Sequence, residues 1–222
     1  MTRRPLIALL IAGAALAVPA AASAEVIEVG SVPPFSPSSC PTRPCLAVSR
    51  TTGYQAKVGA QRGVMTIPQT GRIVAWKIGL GNPGAQQTTF FNQRLGGESE
   101  AQITIIDPRR KLRSRVVAEG EPQKLQPYFG SVAQFALNRS IRVHKGEVVA
   151  LTVPTWAPAL AVGLGADTSW RASRGKGSCE DTSAQTAQLK DNQLAQYFCL
   201  YRTARLTYSA TLVPDPVKPP AQ

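Results

Sequence analysis

Across residues 72–80 a row of large apolar side chains recurs at every second position: Val74, Trp76, Ile78 and Leu80 alternate with Ile73, Ala75, Lys77 and Gly79. A period of two is the signature of a β-strand with one face packed, and it places Trp76 inside. Residues 101–106 carry the β-branched run Ile103, Ile105 and Ile106, which suits a buried strand, and Asp107-Pro108 stops it. Residues 112–118 return antiparallel, so that the segment between them is a hairpin turn. Further strands are expected at residues 46–50, 55–58, 132–137, 148–153, 159–163, 196–201 and 205–213, spaced by Gly, Pro, Asn or Asp. Regular short strands with turn residues between them indicate a sandwich or barrel. Helical spacing of apolar residues is weak and confined to residues 184–195. With 18 Gly and 18 Pro the chain is too interrupted for a coiled coil, and with 43% hydrophobic residues it is too apolar for disorder. The expectation is an all-β protein: an antiparallel β-sandwich, jelly-roll-like, over residues 46–213.

The ends read differently from the centre. Arg3 and Arg4 precede an apolar core at residues 6–18, followed by Pro19 and the small residues Ala22-Ser23-Ala24. This is the layout of a secretory signal cleaved after Ala24, and its core is short of the ~20 residues that span a bilayer. A secreted, extracellular product with no membrane span in the mature chain is the expectation. Residues 25–45 read as an irregular lead-in, since Pro33, Pro34, Pro37, Pro41 and Pro44 deny that stretch a place in a central ladder. Residues 214–222 read as a disordered Pro-rich tail.

Export gives the four cysteines an oxidising destination, so two disulfides are expected. Three pairings are open, and proximity favours Cys40 with Cys45 and Cys179 with Cys199. Zinc is poorly served by one histidine and no Cys-x-x-Cys, and neither a metal nor another cofactor is expected.

Charge is the remaining strong signal. Lys and Arg number 25 against 13 Asp and Glu, and loss of Arg3 and Arg4 with the signal leaves a formal charge of +10. Arg109, Arg110, Lys111, Arg113 and Arg115 form the densest run, and Arg171 with Arg174 and Lys176 a smaller one. On an extended chain Lys111, Arg113 and Arg115 share one side while Leu112, Ser114 and Val116 share the other. Such a ridge either takes an anionic partner or keeps an exposed strand from pairing with a neighbour. Trp156 and Trp170 fall in or near expected loops, with Arg171 and Arg174 close by. They either stack on sugar rings or cap the core. No helix-turn-helix or RNA-recognition motif accompanies the charge, so specific nucleic-acid binding is not expected.

Four phrases carry a resemblance: Cys40-Pro-Thr-Arg-Pro-Cys-Leu-Ala-Val-Ser-Arg-Thr-Thr-Gly-Tyr54, Gly71-Arg-Ile-Val-Ala-Trp76, Ala101-Gln-Ile-Thr-Ile-Ile106 and Val143-His-Lys-Gly-Glu-Val-Val-Ala-Leu151. Together they resemble uncharacterised secreted β-sandwich proteins of high-GC Gram-positive bacteria over most of residues 40–213. The resemblance implies a jelly-roll-like sandwich and an extracellular location, and brings no activity with it.

Catalytic groupings are sparse. His144 stands alone beside Lys145-Gly146 at a turn, and Gly-x-Ser-x-Gly is absent. Glu98 with Glu100, Glu119 with Glu121, and Glu180 with Asp181 border Gly, Pro or Ser, as solvated loop charge does. A secreted non-catalytic sandwich that binds anionic or glycan components of the cell envelope is therefore the leading expectation. An extracellular hydrolase using a carboxylate pair formed at long range, and a purely structural surface protein, are the alternatives.

Overall fold

In the computed structural model, residues 25–32 and 45–216 are described. The strands are β1 (Ile27–Gly30), β2 (Val48–Val58), β3 (Gln61–Arg62), β4 (Gly71–Gly79), β5 (Glu100–Pro108), β6 (Arg113–Glu119), β7 (Gln123–Lys124) and β8 (Val132–Val143). They continue with β9 (Val148–Ala157), β10 (Leu160–Val162), β11 (Ser169–Ala172), β12 (Leu194–Gln196), β13 (Cys199–Arg202), β14 (Ala204–Leu206) and β15 (Tyr208–Pro214). One α-helix, α1 (Ala85–Arg94), lies between β4 and β5.

The larger strands reveal the topology. One sheet runs β1-β15-β4-β8, and the path of the other contains β6-β5-β9-β2, with every pair antiparallel. Number the eight strands β1, β2, β4, β5, β6, β8, β9 and β15 by rank. The sheets then read first, eighth, third, sixth and second, seventh, fourth, fifth. That nesting is a long hairpin rolled onto itself, a jelly-roll sandwich. Between β9 and β15 an insertion adds β11 and β13 beyond β2, pairs β10 with β14, and lays β12 along β6.

Side chains from both sheets form one core containing Trp76, Phe135, Ile103, Leu151 and Leu212. Tyr208 on β15 links the sheets, its hydroxyl donating to the Val149 carbonyl on β9 at 2.9 Å. Facing β8, a bulge in β4 between Ile73 and Ala75 shifts the expected alternation, so that Ile73 rather than Val74 is buried with Trp76 and Ile78.

Strands β5 and β9 are buried on both faces, because the loop closed by the Cys179–Cys199 disulfide lies across the outer side of their sheet. Beneath it runs a row of hydroxyls. Thr104 is hydrogen-bonded to Thr152 at 2.6 Å and Thr152 to Thr52 at 2.8 Å, while the Gln188 backbone N–H donates to Thr52 Oγ1 at 2.8 Å. Each buried oxygen thereby finds a partner, as burial of polar atoms requires.

Several expectations need correction. Residues 27–30, assigned to an irregular lead-in, form edge strand β1, paired with β15. Residues 184–195 contain no helix, only turns and the start of β12. The helix is α1, which was missed because none of its residues is buried and no apolar stripe marks it. Residues 48–50 and 55–58 belong to one strand, β2, in which Arg50, with φ 48°, faces a bulge of β9, while residues 46–47 precede it. Residues 196–201 divide between β12 and β13. Cys45 is disulfide-bonded, whereas Cys40, the signal segment and the last six residues lie outside the described residues. No helix among the described residues is long and apolar enough to cross a membrane.

Burial raises the phenols of Tyr197 and Tyr208 well above their ordinary value of 10.0 and raises Tyr54 as well. The folded chain then holds protons that the unfolded chain gives up near pH 10.0. Stability is full below that pH and falls as pH rises toward the folded pKa values. Alkaline denaturation curves should steepen beyond pH ~10. Tyr208→Phe should flatten that dependence by up to one proton, and an unchanged slope would contradict the burial.

Candidate functional site

The densest charge sits on the turn between β5 and β6. Asp107-Pro108 ends the first arm, and the Arg109 N–H donates to the Arg113 carbonyl at 2.7 Å, closing a three-residue loop over Arg110, Lys111 and Leu112. Lys111 and Leu112 both take left-handed backbone, at φ 58° and 57°. Neither is Gly or Asn, so each costs roughly 1–2 kcal/mol over the right-handed form. The second arm starts at Arg113 rather than at Leu112, and Lys111 belongs to the turn. The ridge of alternating cations is therefore Arg113 and Arg115, opposite buried Ser114 and Val116.

Asp107 divides the five cations into two groups. Its carboxylate ion-pairs with Arg109 and lies 3.7 Å from Arg115. Arg110, Lys111 and Arg113 are exposed, and among the described residues none of them has a carboxylate within ion-pair distance. Strand β12 covers the outer side of β6, and the Tyr197 N–H donates to the Leu112 carbonyl at 2.7 Å. Edge protection therefore does not account for the charge: β6 is an inner strand, and β12 is the edge.

The other candidate residues do not join this group. Trp156 lies on β9, not in a loop, and is fully buried. Its indole N–H is shared between Asn92 Oδ1 at 3.0 Å and the Gly97 carbonyl at 3.1 Å, and its ring meets Phe91 and Phe129. It caps the core and presents no face to a sugar. The sequence around Trp156, Val153-Pro-Thr-Trp-Ala-Pro, places it in or near an expected loop. Pro154 instead sits where β9 bulges opposite Arg50, a position that needs no ladder donor.

Trp170 lies on β11, is 4% exposed and stacks on Tyr201 at 4.5 Å. Arg171 donates to the carbonyls of Tyr197 and Phe198, both at 3.1 Å, and so fastens the link between β12 and β13. Arg174, a candidate to pair with an anionic ligand beside Trp170, is buried.

The acids and the histidine are occupied separately. Glu98 and Glu100 both approach Lys124, at 3.6 and 3.2 Å. Asp181 Oδ1 accepts the backbone N–H groups of Ser183 and Ala184, and these bonds, led by the Ser183 hydroxyl, hold its carboxyl below the usual range. Exposed His144 donates its backbone N–H to Glu147 Oε2 at 2.7 Å. Glu119 accepts from Gln102 Nε2 at 3.3 Å, and burial first, then Asp191, raises its carboxyl. Among the described residues, Asp191 is thus an acid distant in sequence whose charge reaches Glu119.

No protein-family model, curated protein or solved structure matches the chain.

Proposed function

We propose that this chain is a secreted, non-catalytic jelly-roll module that holds an anionic polymer of the cell envelope through the β5–β6 turn. The observation that carries the reading is the trio Arg110, Lys111 and Arg113, exposed on a short closed turn with no carboxylate within ion-pair distance among the described residues. A chain folding for stability alone has no need of three unneutralised cations within four residues, still less of a lysine, Lys111, on left-handed backbone that glycine adopts without strain. Export is supported by the leader-like order of residues 1–24 and by the Cys179–Cys199 disulfide. Sugar stacking loses support, because Trp156 is sealed in the core and Trp170 is covered by Tyr201. The anionic part of the envelope reading is what the exposed residues favour.

Polyphosphate immobilised on a column tests this. The protein should be retained at low salt and released as salt rises, since the attraction comes from displaced counter-ions. Arg110→Gln with Lys111→Gln and Arg113→Gln should abolish most of the retention. Arg109→Gln with Arg115→Gln should have a smaller effect, because Asp107 already offsets part of that pair's charge. Equal retention of the triple variant and the parent would end the proposal.

A further inference from the structure

A cleft of about 340 Å³ opens between the start of β2 and the inserted strands β10, β11, β13 and β14. Its walls include Val48, Leu160, Val162, Trp170 and Tyr201, and Arg174 also lines it. The volume falls in the range of small-molecule sites, which pair apolar walls with a few polar groups.

Arg174 is the unusual member. It is only 4% exposed. Its Nη1 donates to the Tyr201 hydroxyl at 2.8 Å and its Nη2 to the Ser49 carbonyl at 3.0 Å. Its Nε is buried without an acceptor. Among the described residues no carboxylate lies within ion-pair distance of it. Asp181 feels its field from farther away, and spends Oδ1 on Ser183 and Ala184. A guanidinium held by neutral acceptors alone leaves a buried charge uncompensated, which is unfavourable. Among the described residues the cleft's lining contains no acid to offset it, and its second charged residue, Arg202, is also a cation.

The surroundings keep that cation in place. Tyr201 accepts from Arg174, donates its own proton to the Cys179 carbonyl at 2.6 Å, and stacks on Trp170. The Cys179–Cys199 disulfide fixes the segment that supplies both Cys179 and β13. The arginine is therefore preorganised and does not have to be ordered by the ligand.

We infer that this cleft binds an amphipathic monocarboxylate, with its carboxylate paired to Arg174 and a compact apolar body against Val48, Leu160, Val162 and Trp170. An anion of this kind supplies the missing counter-charge, while the walls reject a fully hydrated ion such as phosphate. The site is separate from the β5–β6 turn and does not depend on polymer binding there.

Titration calorimetry of the full chain with octanoate, octanol and octylammonium, each below its micelle concentration, tests the inference. Octanoate should bind once per chain and at least tenfold more tightly than octanol, with octylammonium weakest. Val162→Trp, which fills the cleft from its rim, should remove octanoate binding while leaving thermal unfolding cooperative. Arg174→Met keeps the bulk and removes the charge, so it should bring octanoate down to the affinity of octanol. Equal affinity for octanoate and octanol in the parent chain, binding that survives Val162→Trp, or no binding of octanoate would each overturn the assignment.

Discussion

Trp156→Ala is expected to cost about 3–5 kcal/mol, the usual penalty for emptying a large aromatic site in a close-packed core. The indole is fully buried at the end of β9, where it joins three pieces that are distant in sequence. It touches Phe91 of α1 at 4.8 Å and Phe129 of the β7–β8 connection at 5.6 Å, and its N–H reaches Asn92 and Gly97. Because α1 buries no residue fully, Phe91 on Trp156 is its main aromatic anchor. For a domain of this length the loss corresponds to roughly 10 °C or more in Tm. Trp156→Phe should preserve the packing and lose the shared hydrogen bond, costing about 1–2 kcal/mol. Denaturant melts of the two variants check the order, and an alanine variant within 1 kcal/mol of the parent would show that the indole is not structural.

Removing the second disulfide should have an effect of similar size. The Cys179–Cys199 bond closes a separation of 20 residues, worth about 3 kcal/mol through the restricted unfolded chain. The structure adds a local consequence. The closed segment shields the Thr104, Thr152 and Thr52 hydroxyls, and the Gln188 side chain binds the Tyr197 hydroxyl inside it. Cys179→Ser with Cys199→Ser should therefore expose residues 180–193 to proteolysis before global unfolding. Cleavage confined to other loops, with stability unchanged, would contradict this account of the loop as the cover of the sheet.

The sandwich was legible from sequence because half-buried strands show a period of two and the turns between them carry Gly, Pro and Asp. The nested pairing was not, since the pairing of β1 with β15 or of β2 with β9 leaves no local mark. The helix escaped notice for a physical reason: α1 rests on the sandwich through few contacts and keeps Phe90 exposed, so no face of it is patterned. The basic turn was readable because Arg109, Arg110, Lys111, Arg113 and Arg115 are close in sequence as well as in space. What sequence hid was Asp107, whose pairing with Arg109 and Arg115 divides the cluster. The cleft was invisible in principle, because Val48, Leu160, Arg174 and Tyr201 meet only through the rolled topology and its insertion. Sequence offers Arg174 as an anion-pairing candidate near Trp170 but carries no sign of its burial, since arginines are mostly exposed. The structure buries it and leaves one nitrogen without an acceptor.

Hydrogen–deuterium exchange of residues 25–222 at low salt, with and without polyphosphate, addresses the central claim most directly. Slowed exchange centred on residues 109–115, and reversed by added salt, is the predicted result. Protection centred elsewhere, or no protection at any polymer concentration, would contradict the assignment of the β5–β6 turn as the surface that this protein presents to its partner.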